Sequence, residues 1–137
     1  MKIGVTGTRE GSCDKQLLEI IDYFETLKGT DVELHHGDCL GVDIELAALA
    51  RSYGWKIVCH PPVKTETQGY FGGDEVRDPK GYLERDRNIV DETDLLLVVP
   101  LQTEWQPKGG TWYTHDYAKK KGKPVLLFWP GETDEQL

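Results

Sequence analysis

Two hydrophobic periods alternate along this chain. Short apolar or β-rich runs, Lys2–Thr6, Val32–His36, Trp55–His60, Asp94–Pro100 and Pro124–Trp129, read as strands. Between them the apolar positions recur with helical spacing. Leu17, Leu18, Ile21, Phe24 and Leu27 mark one face of a helix over about 15–27, capped by Ser12 or Asp14 and stopped by Gly29. Ile44, Leu46, Ala47, Leu49 and Ala50 mark a second helix from Gly41 to Tyr53. A third is expected over Gly81–Glu92, and a fourth from Gly110 or Thr111 to Lys121. Leu95–Val99 is the most continuously apolar run, which suits a central strand buried on both faces.

Strand and helix therefore alternate from one end to the other. With right-handed crossovers, this predicts a Rossmann-like, three-layer α/β/α domain around a five-stranded parallel sheet of order 3-2-1-4-5. The switch point then lies between the first and fourth strands, where ligands bind at the carboxyl edge. The domain is expected over 1–130, followed by a short, frayed acidic tail over 131–137. Pro61–Lys80, with its prolines and glycines, reads as an irregular loop or lid.

Composition narrows the function. Hydrophobic residues make up 38% and charged residues 29%, which suits a globular domain. The net charge of -8, from 16 Lys+Arg against 24 Asp+Glu, argues against direct binding of duplex DNA but not against a small phosphorylated ligand. No apolar run is long enough to cross a bilayer and no signal-peptide pattern is seen, so a cytoplasmic protein with no membrane partner is expected. Cys13, Cys39 and Cys59 form no CxxC pair and suit reduced thiols, with Cys39 the one candidate for reactivity.

Four segments converge at the predicted carboxyl edge. After the first strand, Gly7 permits a tight exit, Thr8 offers a hydroxyl and Arg9 a cation suited to phosphate. After the second, Gly37, Asp38, Cys39 and Asp43 form a glycine loop running into a helix. Asp38 and Asp43 suit ribose hydroxyls, and Asp43 equally suits a helix cap. On the third helix, Arg87 and Asn88 are candidates for a phosphate or a base edge, while Ile89 and Val90 face the core. Before the fourth helix, Gly109, Gly110 and Thr111 leave backbone donors open to phosphate. Trp105 or Trp112 offers a stacking surface, and Trp112 equally suits the core. His35, His36, Asp38, Cys39 and His60 match no standard zinc spacing, so neither a metal nor another cofactor is expected.

Five stretches together resemble the SLOG superfamily, the Rossmann-like group that includes Smf/DprA and LOG-type proteins, and most of all its small single-domain YspA-like members. They are Gly4–Arg9, His36–Asp43, His60–Pro62, Arg87–Val90 and Gly109–Trp112, in the family's order. The resemblance implies a nucleotide or nucleotide-derived ligand, cyclic or linear ADP-ribose-type signals among the candidates, and a homodimer or higher homo-oligomer. LOG-type phosphoribohydrolases carry PGGxGTxxE, whose glutamate is catalytic. In Lys108–Thr114 the glycine before Thr is shifted and Thr114 holds the glutamate's place. N-glycoside cleavage needs a carboxylate, and Asp38, Asp43, Asp86 and Asp116 are candidates among which the sequence does not select.

The leading expectation is a protein that senses or sequesters a nucleotide-derived ligand. The alternatives are an N-glycosidase or deoxyribosyltransferase acting on a nucleoside monophosphate, and a partner module in DNA processing.

Overall fold

The computed structural model describes residues 1–131; the acidic tail expected over 131–137 lies, past Gly131, outside the described residues. The strands are β1 (Lys2–Gly7), β2 (Glu33–His36), β3 (Lys56–Cys59), β4 (Glu75–Val76), β5 (Leu95–Val99) and β6 (Val125–Leu127). The helices are α1 (Asp14–Thr26), α2 (Val42–Ser52), α3 (Tyr82–Glu92) and α4 (Gly110–Lys120). All neighbouring strands are parallel, in the order β4-β3-β2-β1-β5-β6.

Strand alternation sorts the core. Ile3, Val5, Leu97 and Val99 pack with Ile20 and Phe24 of α1 and with Val42, Leu46 and Ala50 of α2. The opposite-facing Leu96 and Val98 pack with Ile89 and Val90 of α3 and Ala118 of α4. The result is a sheet with two helices on each face. α1 begins after Cys13 rather than Ser12 or Asp14. The buried Gln16 accepts from the Cys13 N–H at 3.0 Å, and its amide donates to the carbonyls of Pro100 and Phe128, both at 2.8 Å.

One strand escaped the sequence reading. The sheet has six strands, not five in the order 3-2-1-4-5, because Glu75 and Val76 of the long loop pair with Val58 and Cys59 at the edge. Two residues among prolines and glycines carry no readable period. Their pairing is reinforced by charge: Glu75 meets Lys56 at 2.5 Å and Arg77 at 2.7 Å, and Arg77 continues to Glu92 of α3 at 2.9 Å. These cations hold the Glu75 carboxyl down at about 2. The expected switch point holds, between β1 and β5. Among the described residues, no helix is long and apolar enough to cross a membrane.

Candidate functional site

The carboxyl ends of β1 and β5 open onto a cleft of about 310 Å³. Gly7, Thr8 and Arg9 line one wall, continuing from β1; Gly109, Gly110 and Thr111 line another, at the start of α4. Cys39 and Asp43 approach from the loop before α2 and from its first turn. The floor carries two charged residues of α3, Arg85 and Asp86, only 5% and 8% exposed. The volume sits at the low end of the range for small-molecule sites, roughly 300–1,000 Å³.

Arg85 organises this floor. Its Nε donates to Asp86 Oδ1 at 2.7 Å, its Nη1 to the Gly37 carbonyl, and its Nη2 faces Cys39 Sγ at 3.6 Å. Burial works against its charge, but Asp86, Cys39 and Asp43 outweigh that and hold its pKa above the ordinary arginine value. The Tyr82 ring lies under two cations, Arg9 at 5.8 Å and Arg85 at 5.5 Å.

Both cleft carboxyls are pushed up. For Asp43 the cause is burial, opposed by His36, Arg85 and the N–H groups of Gly37 and Cys39, which reach Oδ2 at 2.8 and 3.4 Å. Asp43 thus clasps the loop that leads into its own helix. For Asp86 the cause is again burial, opposed by Arg85 and supported by the negative charge of Asp43. Burial and Asp43 also push the Cys39 thiol up, which works against the thiolate that reactivity would need.

Several candidates lie elsewhere. Gly37 does not line the cleft; it makes room for Arg85, and a β-carbon there would sit 2.6 Å from Nη1. Asp38, with φ of 58°, turns to the opposite side of its loop. Its carboxylate accepts from the Phe71 and Gly72 N–H groups at 2.7 and 3.2 Å and from Gln68 at 2.9 Å, fastening the 61–80 loop. Arg87 and Asn88 are not brought to the cleft. Arg87 donates to the Tyr113 hydroxyl at 2.8 Å, and Asn88 lines a small pocket beside His60 and Glu92. Trp112 is buried, its indole N–H on Gln102 at 3.0 Å. Trp105 is half exposed, its N–H on Asp116.

Arg85 is the residue that sequence reasoning left out of the site, and Asp86 entered it only as one of four candidate carboxylates. The signal was available. Arg85 stands four residues before Ile89, and Asp86 four before Val90, so both fall on the stripe that faces the sheet. Arg87 and Asn88 are rotated away from that stripe by the same geometry.

Two clusters near the cleft have metal-ligating side chains. His36, Asp38 and Cys59 bring ligand atoms within 4.8 Å of one another, but each is committed. His36 Nδ1 accepts from the Asp38 N–H at 2.9 Å and its Nε2 donates to the Gly72 carbonyl at 2.8 Å. Burial, and then Asp38, push the Cys59 thiol up to about 12. In the second cluster, His35 faces His60 Nε2 at 2.8 Å, whereas Glu92 faces His60 Nδ1 at 3.8 Å. One ligand atom from each of the three lies within 4.8 Å of the others, but His35 Nδ1 and His60 Nε2 are already engaged with each other. Glu33 accepts from His35 Nε2 at 2.7 Å, which leaves His35 Nδ1 to accept from His60 Nε2 and His60 Nδ1 without a proton. Burial lowers the pKa of both rings, that of His60 to about 4.

No family model matches the sequence, and no curated protein matches it. Solved structures do share its fold. The molybdenum cofactor binding protein from the phototrophic bacterium Rippkaea orientalis aligns with a TM-score of 0.71 at 20% identity, covering 92% of this chain and 74% of that one. The protein TM1055 aligns with a TM-score of 0.61 at 20% identity, covering 90% of this chain and 71% of that one. At such identities the likeness establishes a Rossmann-like fold.

Proposed function

We propose that this chain is a SLOG-type protein that binds a nucleotide or nucleotide-derived ligand at the carboxyl edge of its sheet, as a sensor or a sequestering protein. The observation that carries the reading is the convergence of Thr8 and Arg9, the buried Arg85 and the open start of α4 on one cleft. The helix start directs free N–H groups at an anion, Arg9 adds an exposed charge, and Thr8 and Thr111 add hydroxyls for phosphate or sugar oxygens. Ligand binding at the switch point is also the general habit of open α/β sheets. The Rippkaea orientalis neighbour is by name a cofactor binding protein, which is compatible with such a use of the fold.

Native mass spectrometry of freshly purified protein, followed by denaturation and identification of what is released, tests the proposal. A retained intact nucleotide supports it. A protein that is empty and takes up none of a panel of nucleoside mono- and diphosphates contradicts it.

A second reading, N-glycoside hydrolysis, is favoured by one feature. Of the four acidic candidates, only Asp43 and Asp86 line the cleft, and Asp43 is tied to its loop. Asp86 Oδ2 lies 3.9 Å from where a β-carbon of Gly110 would be, so this carboxyl borders the glycine turn. A carboxyl whose pKa burial raises is better suited than an ordinary aspartate to donate a proton to a departing base. Release of free base from nucleoside monophosphates, followed by chromatography, separates this reading from simple binding.

A further inference from the structure

His60 has one ring nitrogen with nothing to bond. The residue is only 2% exposed, and its Nε2 faces His35 Nδ1 at 2.8 Å. Glu33 in turn accepts from His35 Nε2 at 2.7 Å. This chain fixes both tautomers and leaves the lone pair of His60 Nδ1 bare. Among the described residues, what Nδ1 faces is a second acceptor, Glu92 Oε2, at 3.8 Å.

Glu92 is held in the same fashion. Arg77 takes its Oε1 through Nε at 3.1 Å and Nη2 at 2.9 Å. Among the described residues, Oε2 has no donor. Each side chain is therefore oriented through one atom and offers the other. Both line a pocket of about 180 Å³, together with Asp78 and Asn88.

Two facing acceptors repel each other unless a donor or a cation lies between them. A bound water would satisfy both. Water, however, turns to suit its acceptors and needs no such orientation. A metal ion does. Histidines that bind metal donate their other N–H to an outer acceptor, and carboxylates that bind metal are themselves hydrogen-bonded. Glu33–His35–His60 and Arg77–Glu92 are two supports of this kind, converging on one point.

We infer that His60 Nδ1 and Glu92 Oε2 bind a divalent transition-metal ion of the zinc type, with Asp78 or Asn88 and water completing its shell. At metal–ligand distances of about 2.0–2.2 Å, two ligand atoms of a tetrahedral ion stand roughly 3.4 Å apart. The observed 3.8 Å closes to that by a small movement of the Glu92 side chain, which is 36% exposed. Imidazole selects zinc-like ions over calcium or magnesium. Burial lowers the His60 pKa to about 4, so no proton competes for the ring at neutral pH. The cations around the pocket are balanced. Arg77 lies between Glu75 and Glu92, Arg85 is paired with Asp86, and Asp78 accompanies Lys80 on the pocket wall. The pocket shares only Arg85 with the nucleotide cleft, and the inference does not rest on that reading. The ion ties the end of β3 to α3, so it stabilises the folded chain by linkage.

Isothermal titration calorimetry of the EDTA-treated, reduced full chain with zinc chloride tests the inference. One equivalent is expected to bind. Glu92→Gln and His60→Gln should each weaken that binding at least tenfold, and Glu92→Gln, at a partly exposed position, carries the test if His60→Gln fails to fold. Saturating zinc should raise the Tm of the wild type and leave that of Glu92→Gln where it was. His115→Ala and Cys13→Ala, which remove metal-capable side chains elsewhere, should change nothing. No binding, or equal binding in Glu92→Gln and the wild type, overturns the inference. Loss of binding only in His115→Ala or Cys13→Ala means an adventitious ion only, and overturns it too. Loss only in Cys59→Ala moves the ion to His36, Asp38 and Cys59 and equally contradicts the site assigned here.

Discussion

Nη1 of Arg85 lies 2.6 Å from the point where a β-carbon on residue 37 would stand. The glycine of the β2–α2 loop and the arginine of α3 are therefore one structural unit. Arg85 reaches its position only because residue 37 has no side chain, and it then donates to that residue's carbonyl. Gly37→Ala should cost about 1–3 kcal/mol, the usual range for overpacking a filled interior. It should also weaken binding of a phosphorylated ligand, because the guanidinium must move. Chemical denaturation and calorimetry on the same variant check both effects. Unchanged affinity with lowered stability would show that Arg85 serves the fold alone.

Asp86 separates the binding and hydrolytic readings. If it donates the proton in N-glycoside cleavage, Asp86→Asn should reduce base release by roughly 10²–10⁴-fold. Ligand affinity should change by no more than a few fold, since the amide keeps the shape and still accepts from Arg85. Steady-state release of free base, set beside calorimetric binding, measures the two quantities separately. Parallel loss of both would assign Asp86 to ligand binding and Arg85 placement.

The buried histidine pair predicts a pH dependence of stability. His60, with its pKa at about 4, is neutral in the folded protein where the unfolded chain titrates near the ordinary histidine value of roughly 6.5. Between these values the unfolded state binds more protons, so stability falls as pH drops through this window and is flat above it. The contribution is on the order of 1–3 kcal/mol. Asp43 and Asp86, whose pKa values are raised, act with the opposite sign, so the wild-type curve alone does not isolate His60. His60→Gln does. Its amide can still donate to His35 and does not titrate. Urea denaturation at pH 7 and pH 4.5 should show a smaller acid loss in the variant than in the wild type; equal losses would contradict the neutral buried ring.

Asp38 should govern the long loop. Its carboxylate takes three hydrogen bonds from residues 68–72, and each bond to a charged group is worth roughly 1.5–3 kcal/mol when not additive with its neighbours. Asp38→Ala also places alanine at a positive φ that aspartate tolerates better. Limited proteolysis should therefore cut the variant within 61–80 well before the wild type, with or without nucleotide. Equal resistance would mean that the edge pairing of β4 holds the loop by itself.

The sequence made the frame legible because burial writes its period directly. The run Leu96–Val99 is buried as its apolar pattern predicts, and the four described helices stand within a residue or two of their expected bounds, but the face of α1 is rotated: Gln16, Ile20 and Phe24 are its buried residues, whereas Leu18, expected on that face, is half exposed. β4 was hidden because its two residues are held by register and by Lys56, Arg77 and Glu92, which are not neighbours in sequence. Within the site, glycine loops and the start of α4 were readable as local turn chemistry. The direction in which Asp38 points was not, since it depends on a loop some thirty residues away closing over it. Arg85 was hidden by its charge, and Asp86 was not singled out among four acidic candidates: a polar pair on a helix reads as solvated, and only their helical phase with Ile89 and Val90 betrays that they face inward.

The central claim is that the β1–β5 edge holds a phosphorylated, nucleotide-derived ligand. The most direct measurement is a two-dimensional ¹⁵N–¹H NMR titration of the chain with ADP-ribose. The account predicts saturable shifts at the amides of Gly7, Thr8, Arg9, Gly110 and Thr111, lost in Arg9→Ala. Absence of saturable shifts, or shifts confined to the Pro61–Pro79 side of the molecule, would contradict it.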